Sequence, residues 1–222
     1  MDIILQQDFL QSFAMLHNLP AYKYLLIDFD NTLAFTNEAN NLAYLRSIED
    51  ISQIKVSDEQ YQLIVSSMPD RRITKTGFYE IILEILNTGL DVPKIAAYKN
   101  KIYPAFMSYI QKNQALIRVL EDIKSNPEIK IILVTNANPR RVIPILDFFN
   151  LEGLFDRIFY TNDSLDKYSL VISQLNLNPD DVVIIDDDEH QLNSAKLSGV
   201  SGIRLVQINP KEVKNAFTLS ST

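Results

Sequence analysis

The sequence predicts an α/β fold, a parallel sheet with helices on both faces plus an all-helical second part, and three observations predict it. Beyond residue 113, short continuous apolar runs alternate with helical patterns, the signature of a parallel sheet buried on both faces. Between 36 and 113 the apolar positions recur only at helical spacing. Where the apolar runs stop, acids, a threonine and a lysine follow, and ligands of such sheets bind at the carboxyl ends of the strands.

Taken in order, residues 3–16 place Ile3, Ile4, Leu5, Phe9, Leu10, Phe13 and Leu16 at helical spacing, an amphipathic helix expected to pack on the body. Pro20 ends it and 24–29 reads as the first buried strand. Helices are expected at 38–51, 57–67, 76–87 and 93–111, with no convincing strand among them. Ser57 with Gln60 fits a capping box, and Pro93 suits a first helical turn. The remainder reads as helix 115–125, strand 130–134, helix 139–150, strand 157–160, helix 167–175, strand 182–185, helix 189–198 and strand 202–206. The expected organisation is therefore an N-terminal helix (1–18), an α/β core (19–35 and 114–222) and a helical insertion (36–113).

The 222 residues fit one domain with an insertion or two small domains. The chain has no cysteine, which excludes disulfides, thiolate metal sites and a cysteine nucleophile. A net charge of −7 argues against a nucleic-acid partner. No apolar run reaches the ~18 residues of a membrane span, and Met1–Asp8 lacks the basic start of a signal peptide. The expectation is a cytoplasmic protein with no membrane partner. Oligomeric state carries no sequence signal. Five glycines leave no glycine-rich phosphate loop.

Asp28-Phe29-Asp30-Asn31-Thr32 is the most informative stretch. Two acids two residues apart at a strand end face the same way, and holding both there calls for a cation or a catalytic task. A turn exploiting Asp and Asn is the plainer alternative. Three further strand ends weigh against it: Thr135-Asn136, Lys167, and Asp186-Asp187-Asp188.

In that order these residues resemble the four motifs of the haloacid dehalogenase-like (HAD) superfamily of phosphotransferases. The resemblance covers the α/β core and implies a Rossmannoid sheet, with the insertion standing where that family has its helical cap. It implies Asp28 as nucleophile, forming an aspartyl-phosphate, and Asp30 as general acid and base. It implies Mg²⁺ held by Asp28, the Asp30 backbone carbonyl and Asp187, with Asp186 a further candidate. Thr135, Asn136 and Lys167 would bind the phosphoryl group of a small phosphorylated substrate. A second acid, Asp30, favours phosphoryl transfer over dehalogenation, because only an alkoxide leaving group needs a proton. The implied enzyme is a phosphatase for a nucleotide, sugar phosphate or phospho-acid. A phosphomutase and a catalytically silent binding protein are the competing readings.

Three positions depart from the family pattern. Asn31 stands where glycine is usual, Tyr168 follows the lysine where proline is common, and Gln191 takes the place of a later Asp or Asn. Asp188 reads as a helix N-cap, and His17 and His190 read as non-catalytic. Arg140 and Arg141 open a helix after Thr135 and are within sequence reach of an anionic substrate. Arg71, Arg72 and Lys75 form a basic cluster in the insertion; Arg71 and Arg72 are candidates for the substrate's non-reacting end, against the plainer reading of a solvated charge run. Phe78, Tyr79, Tyr98, Tyr103, Phe106 and Tyr109 are expected mostly in the core of the insertion.

Overall fold

The computed structural model describes residues 21–210, apart from 75, 76, 78–80, 87, 88 and 163. The expected helix 3–16 with His17, and Lys75, Phe78 and Tyr79, lie outside the described residues. The described residues divide into two compact units, one of those up to 35 and from 112 onward and the other of those from 36 to 111.

Strand β1, Tyr24–Ile27, is followed by the two-residue β2, Ala34–Phe35. The second unit then runs through α1 (Asn37–Ser52), α2 (Asp58–Ser67), α3 (Leu83–Leu86) and α4 (Val92–Ile102). Ser57 and Gln60 form the expected reciprocal capping box at α2, and Asp91 caps α4 with Pro93 in its first turn. Tyr44, Ile48, Ile64, Met68, Ile73, Ile82, Val92 and Ile95 make the apolar core of this unit. Asn40 and Asn41, buried on α1, bond the backbone of Arg71 and Ile73, so polar groups in this core are satisfied locally.

The expected helix 93–111 is corrected. It ends at Ile102, a 3-10 segment covers Tyr103–Tyr109, and β3, Gln111–Lys112, pairs with β2. Pro104, lacking an N–H, is the local reason the α-helical ladder stops. Two-residue strands carry no readable periodicity, which is why β3 escapes a pattern search. Of the aromatic residues, Tyr103 is buried and Tyr98 and Phe106 half-buried, while Tyr109 is exposed.

The other unit continues with α5 (Gln114–Lys124), β4 (Lys130–Thr135), α6 (Pro139–Phe148), β5 (Arg157–Tyr160), α7 (Lys167–Leu175), β6 (Val182–Asp186), α8 (Glu189–Leu197) and β7 (Leu205–Gln207). Residues Gly202–Arg204, read from sequence as the start of the last strand, form a 3-10 turn instead. The sheet is wholly parallel, in the order β5-β4-β1-β6-β7. Register sets Leu26 beside Ile132 and Ile184, and this face packs on Tyr168, Val171 and Ile172 of α7 and Leu192 and Ala195 of α8. The alternate residues Leu25, Ile27, Ile131, Leu133, Val183 and Ile185 are fully buried as well, and α5 packs on β4. Among the described residues no helix is long and apolar enough to cross a membrane.

Candidate active site

The strand order makes β4, β1 and β6 neighbours, so their carboxyl ends carry Thr135, Asp28 and Asp186-Asp187 side by side. Asp28 directly follows β1, its N–H bonded to the Ile185 carbonyl of β6 at 3.0 Å. The chain then turns: Leu33 and Ala34 N–H both return to the Phe29 carbonyl. Asn31 sits in that turn at φ 60°, the left-handed region that Gly and Asn adopt most readily. This accounts for Asn at a position where glycine is the family habit. Asn113, fully buried, clamps the turn by donating its side-chain amide to the Thr32 carbonyl at 3.0 Å while capping α5. Asn113 belongs to none of the four motifs; its only signal along the chain is that of a helix cap, an Asn before an apolar helical pattern.

Lys167, at the start of α7, is the hub. Its Nζ donates to Asp28 Oδ1 at 2.5 Å and lies 2.8 Å from Asp186 Oδ2, and the side chain is almost wholly buried. Asp28, Asp186 and Asp187 each offer an oxygen, all within 4.8 Å of one another. Thr32 Oγ1 donates to Asp187 Oδ1 at 3.3 Å. Asp186 is further bonded by the Tyr168 hydroxyl at 2.6 Å and the Asp188 N–H at 2.8 Å. Asp188 caps α8, as expected, by accepting from the His190 N–H.

Burial pushes the Asp28 carboxyl well above the usual carboxylate range; Lys167 pulls it down, and Asp186 and Asp187 push it up again. Asp187 is pushed up to about 7 by burial and by Asp186. Burial alone would lower Lys167, but the Asp28 and Asp186 carboxylates outweigh it and hold the ammonium above its ordinary value. Burial and mutual repulsion both oppose ionising Asp28 and Asp187 while the site holds only the Lys167 ammonium. A divalent cation with oxygen preference would favour the ionised carboxylates, and three carboxylate oxygens gathered this closely suit Mg²⁺. The donor set fits such an ion.

Asp30 stands outside this cluster of side chains. Arg141, on α6, donates to both of its carboxylate oxygens, one of the bonds being 2.8 Å. Arg140 is exposed. Thr135 ends β4, nearly inaccessible, with its hydroxyl accepting from the Ala137 N–H at 3.0 Å. Asn136 turns to the following loop: its amide oxygen accepts from the Thr161 hydroxyl and the Ser164 N–H, and its amide nitrogen donates to the Ser164 carbonyl. The side chain thereby binds the loop before Lys167. Gln191 is buried and donates weakly to that same carbonyl at 3.4 Å. His190 is exposed.

In the other unit, Arg72 donates to the Thr36 hydroxyl and the Asn37 side-chain carbonyl at 3.0 Å each, at the start of α1. Arg71 is exposed with φ 54°.

Comparisons with known proteins agree with this architecture. A family model for haloacid dehalogenase-like hydrolases matches residues 25–205. A phosphorylated carbohydrates phosphatase from Thermotoga maritima is 26% identical over 190 residues, covering 81% of this chain and 82% of that protein. Among solved structures, the haloacid dehalogenase-like hydrolase SP0104 from Streptococcus pneumoniae superposes with a TM-score of 0.62 at 14% identity, covering 88% of this chain and 98% of that one. CbbY from Rhodobacter sphaeroides, in complex with phosphate, gives a TM-score of 0.60 at 20% identity, covering 81% and 84%. With the family model spanning the sheet from β1 to the start of β7, the chain belongs to the haloacid dehalogenase-like hydrolases.

Proposed function

We propose that this haloacid dehalogenase-like phosphatase is a cytoplasmic, Mg²⁺-dependent phosphomonoesterase for a small phosphorylated metabolite, with sugar phosphates as the first class to try. The observation that carries the reading is the Lys167 ammonium shared between Asp28 and Asp186, with Asp187 completing the carboxylate cluster. The sugar-phosphate preference is supported by the Thermotoga maritima phosphatase relative.

In this reading Asp28 attacks phosphorus as the bond to the leaving oxygen breaks, giving an aspartyl-phosphate. Asp30 gives its proton to the leaving alkoxide, then takes one from the water that attacks phosphorus in the second step. Inorganic phosphate leaves and Asp28 is regenerated. Lys167 offsets charge on the phosphoryl oxygens and keeps Asp28 aligned. Thr135 and the backbone beside it offer donors at the end of β4, and Asn136 fixes the loop that delivers Lys167. Bound through Asp28, Asp187 and the Asp30 carbonyl, with Asp186 alongside, Mg²⁺ would neutralise the phosphate during transfer. Arg71 and Arg72 are retained as candidates for holding a substrate's distal end.

Phosphate release from sugar phosphates, nucleoside monophosphates and phosphoglycolate, with Mg²⁺ or EDTA, tests this for the wild type and Asp28→Asn. Turnover that needs Mg²⁺ and disappears in Asp28→Asn is the expected result. Turnover that survives in Asp28→Asn would sink the nucleophile assignment, and release only with a bisphosphate present would point to a mutase.

A further inference from the structure

Tyr168 follows the lysine directly, and its side chain is fully buried. The ring packs in the apolar cluster of Leu26, Val171 and Ile184, where a phenylalanine would fill nearly the same volume. A phenol hydroxyl in such a cluster costs stability unless it is bonded. It donates to Asp186 Oδ2 at 2.6 Å. The same oxygen lies 2.8 Å from Lys167 Nζ, and Asp186 Oδ1 accepts from the Asp188 N–H. A carboxylate has about four lone-pair positions, so three donors leave Asp186 nearly saturated and held from both sides.

We propose that Tyr168 is a positioning residue for the reaction: its hydroxyl fixes Asp186 as the second anchor of Lys167, so that the ammonium stays against Asp28. This rests on the phosphatase reading above. Without the hydroxyl, Asp186 Oδ2 keeps an unfilled lone pair in a buried setting and draws Lys167 toward itself. Asp28 then loses the partner that aligns it for attack. Burial, helped by the charge on Asp186, holds the phenol well above its ordinary pKa, so it remains a donor.

Tyr168→Phe keeps the ring and removes only the hydroxyl. Partners that orient groups in a site typically carry about 10- to 100-fold in activity. The expected result is a fall in kcat of at least about tenfold, with KM within about twofold. The ¹⁵Nζ resonance of Lys167 in the metal-free protein, identified by its absence from Lys167→Met, is expected to shift or broaden in Tyr168→Phe. In an Asp186→Asn background, adding Tyr168→Phe is expected to change kcat by less than about twofold, since the two act as one unit. A wild-type kcat in Tyr168→Phe, an unmoved Lys167 resonance, or fully additive losses in the double variant would each overturn the proposal. If the wild type turns over no ester, the phosphatase reading fails, and the Lys167 resonance still decides the positioning role.

Discussion

Arg141 donates through both terminal nitrogens to the two carboxylate oxygens of Asp30, 111 residues earlier in the chain. A planar guanidinium facing a carboxylate in this way fixes both direction and rotation of the acid, which a single-point cation cannot do. The pair is partly buried, at 14% and 22% exposure, so solvent screens it only in part. Arg141 thus sets where Asp30 stands, and the acid must release one of the two bonds to carry the proton of the proposed first step.

Arg141→Ala is accordingly expected to lower kcat about tenfold by letting Asp30 rotate, with Arg141→Lys in between. Steady-state kinetics on the best ester of the panel would check this. Equal activity in all three proteins would show that the ion pair has no bearing on catalysis.

Lys167→Met leaves Asp28 and Asp186 buried without their shared cation. Removing one partner of a buried ion pair costs about 3–5 kcal/mol, so urea unfolding at pH 8 in EDTA is expected to show a loss of that order. An unchanged midpoint would mean that the carboxylates are satisfied some other way.

Mg²⁺ is expected to raise the melting temperature, because a ligand bound only by the folded state stabilises it by about 2.7 kcal/mol at a hundredfold excess over Kd. The gain should shrink in Asp187→Asn, read by calorimetry with EDTA controls. A gain identical in both proteins would remove Asp187 from the metal site.

The metal-free protein carries a pH signature. Asp187 is raised from 3.8 to about 7 in the folded state, so between those values the folded form holds a proton that the unfolded form has released. Stability then falls as pH rises through the window from about 4 to about 7, and is flat on this account outside it. Asp28 shifts in the same direction. The drop should be on the order of a few kcal/mol, at about 1.4 kcal/mol per unit. Urea titrations in EDTA at pH 4.5 and 7.5 would show it, and a rise over that interval would contradict it.

At Asn31, φ 60° predicts that Asn31→Gly is nearly neutral while Asn31→Ala loses about 1–2 kcal/mol from left-handed strain. Thermal unfolding of the two variants distinguishes them. An alanine as stable as the glycine would mean that the turn relaxes.

Much of this protein is local, and what is local is legible in its sequence. The apolar runs of β1, β4 and β6 announce strands because both sheet faces are buried, and Ser57 with Gln60 announces a helix start because the capping bonds span three residues. Asp28, Thr135, Lys167 and Asp186-Asp187 can be placed at strand and helix ends for the same reason. What only the tertiary structure decided is which of these ends meet. The order β5-β4-β1-β6-β7 is a choice among pairings that no local pattern encodes. The Arg141–Asp30 and Lys167–Asp28 pairs join residues more than a hundred positions apart, and Tyr168, a mere departure from a motif when read along the chain, meets Asp186 only once α7 packs on the sheet. Side-chain partnership depends on distance in space, and the sequence sets that distance only through the packing of the whole sheet.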